Sequence, residues 1–306
     1  MPILRINAEG RSLKVVNRDV PLTGLAETLK DRVKVGPTLI MLHGFRYSPS
    51  IPSLDPHAYI LQAGHADSWP RQMGFGAATP GHGLCIAFGW EAGGTIWRAH
   101  REAGRAGVAL ADLIRQLNAL GAGPVNIMAH SLGARVALAA LHHLAHGAIN
   151  RMILMTGAEL RTTAEMALMT PAGRSAQVLN VISRENDVFD FIYEWLLVPH
   201  RRGARTLGAG LALPQCVTAQ IDNPDHLIGL ARLGFPIPTS DRRICHWSSY
   251  TRPGLFPLYR GFLSGASPLE LADLRANLPV TLSQRWSRLW QRPLQAAPFG
   301  VQIAPQ

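Results

Sequence analysis

The chain has 306 residues, 47% of them hydrophobic, and a formal net charge of +10. A chain of this length can bury a large core, and α/β folds of this size often form one domain, so we expect a single domain over residues 1–306. The positive charge is nearly all arginine, spread without a dense run or a nucleic-acid-binding motif, which argues against nucleic acid as a partner.

The cysteines Cys85, Cys216 and Cys245 are an odd number and lack metal-ligand spacing, so a disulfide framework is not predicted. The N-terminal segment lacks the apolar core of a secretory signal. No run of about 18 uncharged apolar residues predicts a membrane span. We therefore expect a cytoplasmic protein, and the sequence leaves its oligomeric state open.

Strands and helices alternate along the chain. The apolar pattern predicts an edge hairpin at 3–16, a small helix or linker at 25–33, and strands at 38–42, 83–89, 125–128, 151–155, 177–183 and 215–221. It predicts helices at 95–120, 134–144, 188–198 and 223–233. This alternation indicates an α/β fold, a mostly parallel sheet with helices on both faces and a site at the carboxyl ends of the strands.

A serine lies on the predicted strand-to-helix turn that follows residues 125–128. Ser131 is flanked two positions away by the small residues Ala129 and Gly133, which let strand and helix approach closely enough for the hydroxyl to project. This resembles the nucleophile elbow of the α/β-hydrolase superfamily, with Ala129 replacing the first glycine of the usual G-x-S-x-G pattern. The resemblance covers residues 38–263.

An earlier strand, Thr38–Leu42, ends in His43, Gly44 and Phe45. The order is similar to the oxyanion loop of α/β-hydrolases. The resemblance implies that the backbone N–H groups of Phe45 and Leu132 together hold the oxyanion.

In α/β-hydrolases the acid of the catalytic triad follows the strand predicted here at 177–183, and the histidine comes later still. Asp187 fits the acid position best, with Asp190 and Glu185 as alternatives, although Asp187 also suits a helix cap. His246, in an aromatic and polar loop, is the preferred base. His226 is the alternative, and its place in the first turn of an N-capped helix favours a solvated surface histidine.

The walls of the site are predicted from the neighbouring loops. The irregular stretch 47–82 and the segment around the base suggest Trp69, Trp247 and His130 as substrate-lining residues. Only one helix fits between the strands at 151–155 and 177–183, which leaves no room for an inserted lid domain.

Other motifs favour structural roles. His142 and His146 have the i, i+4 spacing of a zinc pair but lack the glutamate of a metalloprotease motif, so no metal site is predicted. The residues from Ser267 resemble a capping box that opens a last helix. The basic, tryptophan-containing stretch 284–306 is predicted to be a peripheral tail, with weak association at a membrane surface as its alternative.

These features predict a serine hydrolase in which Ser131 attacks an ester carbonyl, His246 transfers the proton and Asp187 orients the imidazole. The partner is a small-molecule carboxylic ester, and no metal or organic cofactor is expected. Two alternatives use the same fold: an acyltransferase with the same triad, and a binding protein without turnover.

Overall fold

The computed structural model describes residues 3–16, 36–62, 67–75, 83–197, 203–264 and 269–290. The helix predicted at 25–33, the capping role predicted for Ser267 and most of the predicted tail, from residue 291 onward, lie outside these residues.

Within these residues, eight strands form one sheet in the order β2-β1-β4-β3-β5-β6-β7-β8. Every neighbouring pair is parallel except β1 and β2, which form the antiparallel hairpin predicted at the edge. The strands are β1 (Ile3–Glu9), β2 (Ser12–Val15), β3 (Thr38–Leu42), β4 (Leu84–Trp90), β5 (Val125–His130), β6 (Arg151–Met155), β7 (Gln177–Ile182) and β8 (Cys216–Gln220).

Helices cover both faces of this sheet. They are α1 (Trp69–Gln72), α2 (Ile96–Ala119), α3 (Gly133–Leu141), α4 (Arg161–Leu168), α5 (Pro171–Ser175), α6 (Asp187–Leu197), α7 (Pro224–Arg232), α8 (Ser248–Thr251), α9 (Leu255–Ser264), α10 (Leu271–Asn277) and α11 (Ser287–Trp290). The predicted α/β fold, a mostly parallel sheet between helices, is confirmed.

Alternation along the strands divides the core into two layers. In β3, Ile40 and Leu42 pack in the apolar cluster that contains Leu110 of α2. Leu39 and Met41 point the other way, into a second cluster on the opposite face of the sheet. Strands buried on both faces are rich in apolar residues, and this is why β3 and β5 could be recognised as buried strands.

One detail differs from the sequence prediction: the connection between β6 and β7 contains two short helices, α4 and α5, rather than one. The helix α10 begins with a capping box of Glu270 and Asp273, each side chain bonding a backbone N–H. No helix within the described ranges is long and apolar enough to cross a membrane.

Candidate active site

Ser131 occupies the sharp turn between β5 and α3. Its φ of +52° lies in the left-handed region, which a residue with a Cβ seldom adopts. Its backbone N–H donates to the Met155 carbonyl of β6 at 3.0 Å, so the strand pairing fixes the turn. The side chain lines a cavity at the carboxyl ends of the strands, where the elbow was predicted to place it.

The space around the turn admits only glycine at two positions. A Cβ on Gly44 would lie 2.7 Å from the Ser131 Cβ, and a Cβ on Gly133 would lie 2.6 Å from the His43 carbonyl oxygen. Both separations are closer than atoms can approach without displacing the backbone. The loop after β3 and the start of α3 therefore close tightly around the serine.

Ser131, His246 and Asn186 form a chain of hydrogen bonds. The Oγ of Ser131 lies 2.8 Å from Nε2 of His246, and Nδ1 of His246 lies 2.6 Å from Oδ1 of Asn186. Because an amide oxygen can only accept, Nδ1 carries the imidazole proton. The lone pair of Nε2 therefore faces the serine hydroxyl, which donates to it.

Burial keeps the His246 imidazole neutral. Desolvation lowers its pKa to about 4, because the buried ring cannot be hydrated when charged. The Phe189 ring stacks on the imidazole with centroids 4.8 Å apart and excludes water from one face. A neutral imidazole at neutral pH can accept a proton from the serine.

Asp187 does not occupy the position predicted for it. Its carboxylate accepts from Nη1 of Arg184 at 3.2 Å and from the Trp286 backbone N–H at 2.6 Å. Desolvation raises its pKa, and these donors oppose the rise. The preceding residue, Asn186, contacts the imidazole instead, which corrects the prediction.

The other acidic candidates also lie away from the imidazole. Asp190 lines the cavity, where burial raises the pKa of its carboxyl to about 7. Glu185 is fully buried and forms an ion pair with Arg252 at 2.7 Å. Its backbone carbonyl accepts from the Cys245 N–H at 2.9 Å, and this bond ties the loop that carries Asn186 to the loop that carries the histidine.

His226, the alternative base, is buried rather than solvated as the sequence suggested. Its Nδ1 accepts the Gln220 backbone N–H at 3.2 Å, and burial lowers its pKa. Asn223 caps the helix α7 as predicted, accepting from the N–H groups of Asp225 and His226. These contacts give the histidine a structural position away from the serine.

Two peptide groups beside the serine are held through their carbonyl oxygens. Nδ1 of His43 lies 3.0 Å from the Gly44 carbonyl oxygen, and Nε2 accepts the Trp90 N–H at 3.0 Å. Burial lowers the pKa of His43 to about 3, so the ring is neutral and Nδ1 is its donor. Because N–H and C=O point in opposite directions across a trans peptide, the N–H of Phe45 is directed away from His43.

The peptide between Ser131 and Leu132 is held in the same way. The Ser131 carbonyl accepts from the N–H groups of Ala134 at 3.0 Å and Ala158 at 2.9 Å, which leaves the Leu132 N–H pointing the other way. Within the part of the chain that the structure describes, the N–H groups of Phe45 and Leu132 have no acceptor, and both residues line the cavity. They are thus free to bind a negatively charged oxygen.

A second set of polar groups holds the backbone of the histidine. Nε2 of His130 lies 3.1 Å from the His246 carbonyl oxygen and donates to it, and the Thr156 hydroxyl donates to the same oxygen at 3.3 Å. Ser249 bonds the Thr156 hydroxyl at 3.1 Å. The sequence did not single out Thr156, Ser249 or Asn186, because short polar residues of this kind occur throughout loops.

The cavity beside the serine has a volume of about 750 Å³. Most of its wall is aromatic or aliphatic. Of the predicted lining residues, His130 and Trp247 contribute to it, whereas Trp69 does not. The Trp69 side chain is buried behind the wall, with its ring 5.2 Å from the Tyr250 ring, so it supports a residue of the wall.

Among the residues that the structure describes, no three His, Cys, Asp or Glu side chains lie close enough to one another to hold a metal ion. The arrangement instead presents a hydroxyl, a neutral imidazole and two free backbone donors at one end of an apolar cavity.

Known proteins are similar to parts of this chain. Residues 94–206 match the family described as "Protein of unknown function (DUF726)". Crystal structures of the Bacillus licheniformis lipase BlEst2 are similar at a TM-score of 0.37, with 13% identity for the propeptide form and 12% for the mature form. Each match covers 60% of this chain, and the chain spans 45% of the propeptide form and 82% of the mature form. No curated protein matches this sequence.

Proposed function

We propose that this protein is a serine hydrolase that cleaves carboxylic esters through an acyl-enzyme on Ser131. The observation that carries the proposal is the continuous hydrogen-bond chain from the strained serine to His246, at 2.8 Å, and on to Asn186, at 2.6 Å. A hydroxyl on a sharp turn, in contact with a neutral buried imidazole, is the arrangement that activates serine as a nucleophile.

In the first half of the reaction, Ser131 Oγ bonds to the ester carbonyl carbon while its proton moves to Nε2 of His246. The carbonyl oxygen becomes an oxyanion that accepts from the Phe45 and Leu132 N–H groups, each worth about 3 kcal/mol in comparable sites. The imidazolium then gives its proton to the alkoxy oxygen as the carbon–oxygen bond breaks. The alcohol leaves, and the acyl group remains on the serine.

In the second half, His246 removes a proton from water, and the water oxygen attacks the acyl carbon. Collapse of the second tetrahedral intermediate releases the carboxylic acid, and the proton returns to Ser131 Oγ. The hydroxyl, the imidazole and the two backbone N–H groups all belong to the chain itself, so these steps need no metal or organic cofactor.

The third member of the proposed triad is an amide rather than a carboxylate. Asn186 fixes the imidazole tautomer and ring orientation as an aspartate would, but it adds no negative charge beside the imidazolium. The proposal therefore replaces Asp187 by Asn186 as the residue that orients the base. It also accounts for the low pKa of the imidazole, which has no carboxylate among the causes of its shift.

The cavity supports an ester with an apolar acyl group as substrate. Its walls include Tyr47, Ile192, Tyr193, Leu196 and Tyr250. Transfer of a methylene group from water to such surroundings contributes about 0.8 kcal/mol, so kcat/KM should rise with acyl chain length until the cavity is full. A series of p-nitrophenyl esters of increasing chain length tests this expectation.

Labelling with a fluorophosphonate probe tests the nucleophile. Wild-type protein should be labelled and should hydrolyse short p-nitrophenyl esters, and Ser131→Ala should lose both. Ser53→Ala is the matched control, because Ser53 also lines the cavity but is exposed and has no histidine partner among the described residues. His246→Ala should lose labelling as well, whereas His226→Gln should keep it.

An unlabelled wild-type protein that hydrolyses none of the esters would contradict the proposal and favour the binding-protein alternative. Labelling that survives Ser131→Ala would place the nucleophile elsewhere. If the acyl group passes to an added alcohol faster than to water, the acyltransferase alternative is correct with the same residues.

A further inference from the structure

Large apolar side chains are exposed around the mouth of the cavity. Tyr59, Trp97, Phe191, Trp195 and Trp247 form what we call the aromatic rim, and each is at least 49% exposed. Trp195 is the most exposed of them, at 65%. Single exposed apolar residues are ordinary, but five exposed aromatic side chains near one opening are typical of an interaction surface.

Contacts within the protein place the rim at the opening. Tyr59 and Trp247 themselves line the cavity. Trp97 follows the lining residue Ile96, and its indole N–H donates to the Leu196 carbonyl at 3.0 Å. The aromatic rim therefore shares its boundary with the wall of the cavity.

The helix α6 connects the cavity wall to the remaining rim residues. Its residues Ile192 and Leu196 face the cavity. Phe191 and Trp195, spaced i and i+4, lie on the neighbouring exposed face of the same helix. One helix thus presents apolar side chains both to the cavity and to the surroundings.

Cations accompany the aromatic rim. Arg46 lines the cavity and is exposed, and Arg98 directly follows Trp97 and is also exposed. In the described ranges, neither guanidinium lies within ion-pair distance of a carboxylate. The whole chain carries a net charge of +10, so an anionic surface is attracted and a second copy of the chain is repelled.

We propose that the aromatic rim docks the protein on the surface of an anionic phospholipid bilayer. Tryptophan and tyrosine prefer the boundary between headgroups and acyl chains, because their rings are apolar and their polar atoms stay hydrated. Arginines beside them add attraction to anionic headgroups. Docked in this way, the apolar cavity opens directly toward the acyl chains, whereas a protein partner on the same surface would close it.

This inference goes beyond the proposed hydrolysis and does not need it, because vesicle binding is measured without turnover. The full chain is mixed with vesicles of phosphatidylcholine and phosphatidylglycerol, or of phosphatidylcholine alone, and the bound fraction is measured by sedimentation. The rim variant is Phe191→Ser with Trp195→Ser, neither of which lines the cavity. The matched control is Met166→Ser with Ile228→Ser, which removes two equally exposed side chains from the helices α4 and α7.

Wild type and control should bind the anionic vesicles, and the rim variant should bind at least about tenfold more weakly. Added salt should weaken binding, and neutral vesicles should bind less protein, because the arginines contribute through charge. Hydrolysis of a short water-soluble ester should be equal in all three proteins, which separates loss of docking from loss of the site.

Equal vesicle binding by the rim variant and wild type, or no binding by wild type, would overturn the inference. So would a dimer of the wild-type chain that the rim substitutions dissociate, since the surface would then be an interface between copies. Absence of ester hydrolysis together with rim-dependent vesicle binding would refute the proposed function and leave the docking surface intact.

Discussion

Asn186→Asp places a carboxylate against the base and changes the charge of the site with little change of shape. The amide oxygen lies 2.6 Å from Nδ1 of His246, so the charge centres of a carboxylate and an imidazolium would be roughly 4 Å apart. At an effective dielectric constant of about 20, this pair attracts by about 4 kcal/mol, equivalent to about 3 pKa units. Desolvation of the new carboxylate reduces the gain, so we expect the pKa of His246 to rise by about 1 to 3 units.

The pH dependence of kcat/KM reports this pKa, because only the neutral imidazole can act as the base. Wild-type activity should be constant through neutral pH and fall to half near pH 4, where the imidazole becomes protonated. In the Asn186→Asp variant the same fall should occur between about pH 5 and pH 7. Activity of the variant is therefore lost at mildly acidic pH, where the wild type remains active.

Asn186→Leu is the control for this substitution, since it keeps the size of the side chain and removes the acceptor. Without an acceptor at Nδ1 the imidazole is free to adopt the wrong tautomer, and kcat should fall by about 10²-fold or more at every pH. A fall in Asn186→Asp that still occurs near pH 4 would refute the reasoning, because the amide would then not be in contact with the base during catalysis. Full activity in Asn186→Leu would refute it as well.

Three further substitutions test the packing around the site. Gly44→Ala brings a Cβ to 2.7 Å from the nucleophile's Cβ, and kcat should fall about 10²-fold or more; an active, folded variant would contradict the close approach. Glu185→Ala leaves Arg252 buried without its partner and should lower the free energy of unfolding by about 3–5 kcal/mol in urea titrations; the double replacement of both residues by methionine should recover part of that loss. His130→Phe removes the donor to the His246 carbonyl, and kcat should fall about tenfold with an unchanged KM; a raised KM alone would indicate a role in substrate binding instead.

The strands and the elbow could be predicted from the sequence because their requirements are local. Parallel strands buried on both faces consist mainly of apolar residues, and the predicted strands Thr38–Leu42 and Arg151–Met155 have the same ends in the structure. The elbow needs small residues two positions either side of the serine, and Ala129 and Gly133 provide them. The spacing of small residues in the sequence was therefore enough to place Ser131 on the sharp turn.

The residue that orients His246 could not be predicted, because its identity depends on the direction of each side chain in a tight turn. Asn186 ends a 3-10 turn over Arg184–Asn186, and Asp187 begins the helix α6. Consecutive residues in such turns project roughly 100–120° apart, so a shift of one residue redirects a side chain completely. Arg184 and the Trp286 N–H attract the carboxylate, and only the amide is left facing the imidazole.

The sequence by itself determined the fold class, the order of its strands along the chain and the position of the strained serine, because each depends on residues within one or two turns of the backbone. Only the tertiary structure decided that Asn186 contacts His246, 60 positions later in the chain. It also decided that Trp69 supports the cavity wall rather than lining it. Such contacts depend on the direction of each side chain after packing, which is fixed by neighbours distant in sequence.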